Sequence, residues 1–491
     1  MSKKAVIIGS GISSLSCASF LAKEGYEVTI LEKNKTIGGR ARKFEENGFM
    51  FDMGPSWYWM PDVFERFYNQ FGHTTSDFYD LKRLDPSYRV YWKDQTHTDL
   101  PAELQELKNL FESMESGSTE KLTKFLDEAK YKYEVGMNEL VFKPGLKWRE
   151  FADFRIFKGL FRMHLLSSFA KHIRKYFKNE KIRSLLEFPV LFLGATPDKT
   201  PALYSLMNYA DISLGTWYPM GGMHKFIEAF EKIANDQGAK ILTEQNVTGF
   251  AYEGNAVTKV ITDKGEFEAD IVVSGADYQH TDSTILKGKS NYSKEYWESR
   301  TMAPSSLLFY LGVDKKVKDL LHHNLFFDEP FTEHAKEIYE QPKWPSAPLF
   351  YCCVPSKTDK TVAPEGKENM FLLIPIAPDL EDNEETRDKY YSMLMDRLEK
   401  HTGESIRDHV IYKRSYCVSD FKSDYNAFRG NAYGLANTLR QTAILKPSLK
   451  HKKIKNLYYT GQLTVPGPGV PPSIISGEVV AQVINQENPT N

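Results

Sequence analysis

The sequence predicts an α/β fold: a dinucleotide-binding domain assembled from discontinuous segments, with an inserted α+β region and a long helical part. Three observations carry this. The chain opens on a strand, a glycine turn and a helix; the strand after that helix ends on an acid; and the last strand runs into a Gly/Pro-rich loop and a final helix. At 491 residues the chain exceeds what one compact core usually covers, so several structural regions are expected.

Ala5-Val6-Ile7-Ile8 is short, apolar and β-branched, and reads as the first strand. Gly9-Ser10-Gly11-Ile12-Ser13-Ser14 follows, then a helical pattern to about Lys23 and a second strand from Glu27 to Leu31. This is a Rossmann-like βαβ unit, in which the first glycine makes the tight turn and the second lets backbone approach a pyrophosphate. Ser14 stands where the fingerprint has a third glycine, a position that serves helix–strand packing and admits a small residue. Glu32, 21 residues beyond Gly11 and followed by Lys33, is placed to accept hydrogen bonds from an adenosine ribose. Gly38-Gly39-Arg40-Ala41 comes next, where backbone N–H groups and a guanidinium can meet a second anionic segment of a cofactor. A simple NAD site does not need it.

From about Pro101 to Lys181 the pattern is long, charged and helical, whereas Ala239 to Ser274 returns to short β-rich runs broken at Glu253-Gly254-Asn255 and Asp263-Lys264-Gly265. A mixed region, roughly Ser305 to Tyr433, holds strands such as Ser306 to Leu311 and Met370 to Ile376. Asn456 to Thr460 is the last strand, and Pro471-Pro472 suits the first turn of the last helix. Segments 1–80, 226–300 and 441–491 are expected to build the nucleotide domain, 81–225 a helical region and 301–440 a substrate domain.

Bulk properties narrow the function. With 63 basic against 65 acidic side chains the net charge is −2, which argues against nucleic acid as a partner. Cys17, Cys352, Cys353 and Cys417 show no framework spacing and fit a reducing cytoplasm. Met1-Ser2-Lys3-Lys4 leaves no room for a signal peptide before the first strand. No apolar stretch approaches the roughly 20 residues of a spanning helix, so a soluble or peripherally attached protein is expected.

The opening strand and turn, Glu32, Gly38-Gly39-Arg40 and Asp52-Met53-Gly54-Pro55 together resemble the start of the FAD-dependent amine oxidase and phytoene desaturase superfamily. The other end agrees: Asn456-Leu457-Tyr458-Tyr459-Thr460-Gly461-Gln462 and Pro466-Gly467-Pro468-Gly469-Val470-Pro471-Pro472 are similar to the C-terminal flavin segment of the carotenoid desaturases. Thr216-Trp217-Tyr218-Pro219-Met220-Gly221-Gly222-Met223, Leu321-His322-His323-Asn324 and Pro355-Ser356-Lys357-Thr358-Asp359 resemble that branch rather than the amine oxidases. The resemblance spans nearly the whole chain. It implies noncovalent FAD held by Gly9, Gly11, Ser13, Ser14, Glu32, Lys33, Gly39, Arg40, Gly54, Pro55, Ser56, Val247, Gly461, Gln462, Gly469 and Val470. Val247 would offer backbone to the adenine. Gln462 to Val465 departs from the family's glycine-alanine-rich stretch.

A carotenoid carries no carbonyl, ester or amine beside the bond being oxidised, so a Ser or Cys nucleophile would have nothing to attack and the flavin must take a hydride. The polyene cation left behind could lie against aromatic faces, for which Trp57, Tyr58, Trp59, Trp217 and Tyr218 are candidates. No base stands out. His322 and His323 are expected to line the substrate region or the fold's interior and to hold no metal, because no Cys or carboxylate spacing completes a site. Arg155 to Lys178 carries seven Arg/Lys and no acid, with Phe157, Phe161, Leu165, Phe169, Ile173 and Phe177 at intervals of four, and reads as an interfacial helix docking on the cytoplasmic membrane. The expected activity is desaturation of a C40 carotene or 3,4-desaturation of a 1-hydroxycarotenoid, electrons leaving to a quinone or oxygen. A carotenoid cis–trans isomerase using reduced FAD and a non-enzymatic isoprenoid carrier are the alternatives.

Overall fold

The computed structural model describes residues 2–147, 150, 167–193, 196–438 and 441–490. At its centre lies a five-stranded, all-parallel sheet in the order Leu457–Tyr459, Ile271–Ser274, Lys4–Ile8, Glu27–Leu31, Lys240–Leu242. Three separated stretches of chain therefore meet in one sheet. Its three inner strands are short, rich in Val and Ile and largely buried, as a covered parallel sheet requires. Ala5 and Ile7 face a core shared with the first helix, Ile12–Lys23, and the last helix, Val470–Glu487. Val6 and Ile8 face a three-stranded antiparallel layer, Val247–Glu253, Ala256–Thr262 and Glu266–Glu268.

The first and last helices are the most tightly joined pair in this unit. Residues Ile12 to Ala22 are buried at all positions but Phe20, so the first helix has no solvent face and must pack closely on several sides. Its small residues allow that. The last helix answers with Gly477, where an added Cβ would lie 2.3 Å from the Ser13 carbonyl oxygen and 2.8 Å from the Cys17 nitrogen. One contact beside it is polar: the Ser16 hydroxyl donates to the Ile474 carbonyl at 2.8 Å.

A seven-stranded sheet forms the second layer, in the order Val410–Tyr416, Ser305–Val313, Glu368–Ile376, Phe350–Cys353, His323–Phe327, Tyr88–Trp92, His97–Leu100. The hairpin Lys43–Glu46 and Phe49–Asp52 ties it to the nucleotide turn: Tyr310 donates to the Met53 carbonyl at 2.7 Å and Asn369 to that of Met50 at 2.8 Å. Gly312 makes room for the Phe49 ring, which an added Cβ would meet at 2.6 Å. Helices Leu104–Met114, Ser118–Val135, Phe169–Tyr176 and Glu180–Glu187 form the helical part. No described helix is long and apolar enough to cross a membrane.

The expected docking helix is turned differently from its sequence reading. Phe169, Ile173 and Phe177 are fully buried, with Phe177 edge-on to Phe111 at 6.1 Å, so this half of the apolar stripe seals the protein's own core. Lys171, Arg174 and Lys175 are the solvated remainder. Phe157, Phe161 and Leu165 lie outside the described residues.

Gly477→Ala should force the two helices apart and cost about 1–3 kcal/mol, as overpacking of a close core contact does. Gly265→Ala, where nothing lies within 4 Å of the added Cβ, is the control and should change little. Urea denaturation of the two variants checks this; equal midpoints would show that the helix contact yields without cost.

Candidate dinucleotide and substrate site

A cavity of about 820 Å³ runs from the carboxyl ends of the parallel strands to the seven-stranded sheet. Ligands of open α/β sheets bind at that edge. Gly9 turns the chain with φ +87°, and Gly39 approaches Gly11 so closely that an added Cβ would lie 3.2 Å from the Gly11 Cα. Glu32, 5% exposed, is fixed on the wall: its carboxylate accepts from the Ser10 N–H at 2.8 Å and hydroxyl at 2.7 Å, and from the Asn34 N–H at 2.8 Å and amide at 2.9 Å. A ribose hydroxyl can take the place of the Ser10 hydroxyl, which is free to rotate. Lys33 lines the cavity while its amine donates to the Ser423 carbonyl at 2.6 Å.

Arg40 lies on the same wall. The side chain is half-buried, and its guanidinium donates to the Asn431 carbonyl at 3.2 Å and stacks over Tyr425 at 5.0 Å. With the Gln462 amide oxygen facing it, that oxygen accepts from both terminal nitrogens, at 3.1 and 3.2 Å. Its Nε remains without a partner. Burial pulls its pKa down against the opposing charge of Asp277. A half-buried cation with an unused N–H is complemented by an anion, and a cofactor pyrophosphate supplies one. Gly54 is required for this turn, since a Cβ there would sit 2.3 Å from the Arg40 carbonyl oxygen.

Ser13, Pro55, Ser56, Val247 and Gly461 complete this end, with Gly469 and Val470 at the mouth of the last helix. That helix presents its positive end to the cavity. Pro471 and Pro472 carry no N–H, so direct donation falls to the residues before them. The residues present fit an adenine dinucleotide with a further ring system beside the helix terminus, as FAD has. Ser14 does not belong to the wall. Buried completely, its hydroxyl would lie 1.9 Å from a Cβ at Gly275, so it packs the helix onto the strand end, and Gly275 supplies the space that a third glycine would have given.

The other end of the cavity is apolar. Trp57 and Trp59 lie on its wall, and Trp57 stacks on His323 with ring centres 4.1 Å apart and planes 9° from parallel. Tyr58, Trp217, Tyr218, His322 and His323 are not on that wall. Tyr58 shares a buried hydrogen bond with Tyr79 at 2.8 Å, Trp217 donates to the Leu214 carbonyl at 2.8 Å, and the two residues face each other across an antiparallel bridge. Tyr218 and His322 line a separate cavity of about 20 Å³ with Asp52 and Cys353. Asp52 accepts from the Met223 and His224 N–H groups at 2.7 and 2.9 Å, and burial pushes its pKa up to about 6.

The histidine pair stands behind the wall. His322 Nδ1 bonds the Thr358 hydroxyl at 2.8 Å and His323 Nδ1 that of Tyr351 at 2.6 Å. Contrary to the spacing argument, a cysteine does reach them: Cys353 Sγ lies 3.8 Å from His323 Nδ1, and one ligand atom of each of the three falls within 4.8 Å of the others. Burial holds both imidazoles neutral. Sequence reasoning missed Asp277, Asn246 and Tyr425 at the nucleotide end, although Ser274-Gly275-Ala276-Asp277 after a buried strand was a usable signal. Tyr133, Met137, Leu308, Tyr351 and Phe371 line the apolar end and look like ordinary core in the sequence.

The family model of the flavin containing amine oxidoreductases matches residues 12–485. A carotenoid 3,4-desaturase of Haloarcula japonica is 39% identical over 485 residues, 98% of each chain. A zeta-carotene-forming phytoene desaturase of Myxococcus xanthus is 29% identical, covering 98% of this chain and 93% of its own. Among solved structures, an oxidoreductase from Methanosarcina mazei superimposes with a TM-score of 0.66 at 18% identity, over 98% of this chain and 100% of that one. A putrescine oxidase variant does so at 0.62 and 12%, over 99% of each. These structures share the fold, and with the family model matched over residues 12–485 the chain belongs to the flavin containing amine oxidoreductase family.

Proposed function

We propose that this chain is an FAD-dependent carotenoid desaturase. The observation that carries the reading is the cavity itself, with cationic and anionic groups at the nucleotide end and an apolar, aromatic-walled half continuous with it. Such a half suits a hydrocarbon, and among its described lining residues there is no acid to pair with an amine. The likeness over almost the full length to a carotenoid 3,4-desaturase and a phytoene desaturase supports the same substrate class, and the greater identity favours the 3,4 position. FAD is bound noncovalently; all four cysteines are buried and none lines the cavity. When bound, it supplies the hydride acceptor. The protein's own residues orient the polyene, exclude water and face the developing cation with Trp57 and Trp59.

Because carotenoids dissolve in bilayers, the enzyme works peripherally on the cytoplasmic membrane, and electrons pass on to a quinone or oxygen. Attachment is sought in Phe157, Phe161 and Leu165. Their replacement by Ser should reduce co-sedimentation with anionic liposomes, and binding that ignores both the changes and salt would place the docking surface elsewhere.

Glu32→Ala should weaken FAD binding by about 1.5–3 kcal/mol, the value of a hydrogen bond to a charged group. Flavin content after dialysis measures it, and undiminished occupancy would remove Glu32 from the ribose.

The chain shows one dinucleotide fingerprint, Gly9 to Ser14, and no second glycine turn to seat NADH. Carotenoid should therefore bleach the oxidised flavin anaerobically and yield a product two hydrogens lighter, whereas NADH alone should not. A product of unchanged mass formed only with reduced flavin would make the protein an isomerase.

A further inference from the structure

Desaturation leaves a proton to be disposed of. One carbon gives up a hydride, and its neighbour must then lose H⁺ for the double bond to close. The apolar half of the cavity offers few groups that could take it. His334 lines the wall, but its Nε2 donates to the Pro375 carbonyl at 2.8 Å and its Nδ1 accepts from the Leu349 N–H at 3.0 Å, so no lone pair is left. Tyr351 leads to His323, which is fully enclosed and kept neutral by burial. Tyr204 and Tyr433 line the cavity too, but burial pushes both phenols up, so they stay protonated and neither is hydrogen-bonded to a carboxylate.

Tyr133 differs. It is 5% exposed, lines the cavity one turn before Met137, and its hydroxyl donates to both carboxylate oxygens of Asp62, at 2.9 and 2.8 Å. Asp62 stands on the solvent side, in the first turn of the helix Pro61–Asn69. Among the described residues that line the apolar half, this is the hydroxyl that hydrogen-bonds a carboxylate, and that carboxylate opens to water.

We propose that Tyr133 and Asp62 carry the substrate proton out of the cavity. The C–H bond beside the carbon that lost hydride breaks, and its electron pair becomes the second bond of the new C=C. The proton passes to Tyr133 Oη as the hydroxyl's own proton moves to the Asp62 carboxylate, which releases it to solvent. The oxidant is the flavin, so this assignment rests on the desaturase reading. A polyene cation is a strong acid, and a phenol backed by a carboxylate suffices to deprotonate it.

The surroundings keep the pair matched. Asp62 is raised from the usual carboxylate range by desolvation, against the pull of the Tyr133 hydroxyl. Arg66, four residues on, could have paired with it, but turns to Glu478 with bonds of 2.6 and 2.8 Å. Glu65 is occupied by the Thr75 N–H and hydroxyl, at 2.8 and 2.6 Å. Tyr209 packs against the Tyr133 ring at 5.3 Å. Among the described residues, no cation pairs with Asp62.

The test is steady-state desaturation by the FAD-loaded enzyme and its D62N, D62E and Y133F variants across pH, with thermal midpoint and flavin spectrum recorded for each. Asp62→Asn keeps an acceptor for the tyrosine and removes the base. It should lower kcat by roughly 10²-fold, the low end of general-base contributions, with KM and midpoint held. The wild-type rate should fall as pH drops through the Asp62 ionisation, because the base works only when deprotonated, and that acid limb should vanish in D62N and return in D62E. If D62N turns over at the wild-type rate with the limb intact, the pair is a structural clamp and the proposal is overturned. A wild-type enzyme that makes no product sinks the desaturase reading first, and the relay with it.

Discussion

The contact between the first and last helices at Gly477 is the constraint on which the rest depends. Backbone there touches backbone, with the Ser13 carbonyl and Cys17 nitrogen occupying the space a side chain would take. Because the two helices come from opposite ends of the chain, their distance fixes where the Gly9–Gly11 turn stands relative to Gly461 and Gly469. Glycine turns bind phosphate only when both sides of the cleft are in register. The parallel strands set the plane of that cleft, and the helix contact sets its width.

Within this frame the charges are sorted to one end. Glu32 is buried and Arg40 half-buried, each held by hydrogen bonds, and a polar group so held favours a ligand without reorganising. The opposite half has Trp57 and Trp59 and the neutral His323 behind them. Its imidazole cannot stay charged at that depth, and a permanent cation beside a developing carbocation would oppose the chemistry. Neutrality there is as much a part of the site as charge is at the other end.

The nucleotide end was legible in the sequence because its signals are local: strand, glycines, acid and Gly-Gly-Arg loop lie within one stretch of chain. There Ser14 packs the helix as its position suggests, although its partner Gly275 is distant in sequence and gave no signal. The apolar half was barely legible. Trp57, Tyr58 and Trp59 are consecutive, yet a strand-like backbone sends Tyr58 into the core and its neighbours to the cavity. Trp217, Tyr218 and His322 were candidates for the substrate region, and which cavity such residues reach is decided by the packing of segments distant in sequence. Tyr133 and Phe371 carried no pattern that separates a tunnel wall from any other core position.

The stripe from Phe157 to Phe177 teaches the same point through charge. A basic, apolar helix without acids has two stable settings, on a membrane or over its own core with lysines solvated, and sequence periodicity is the same in both. What decides is the partner surface. Phe111 and Phe125 belong to the helices Leu104–Met114 and Ser118–Val135, and they offer the closed, aromatic face that Phe177 meets. Ser118–Val135 also supplies Tyr133 to the cavity, so the packing that withdraws Phe169, Ile173 and Phe177 from lipid is the packing that holds this wall against the substrate. Lipid contact made by this part of the molecule must use other side chains, because freeing these three would dismantle the cavity they support.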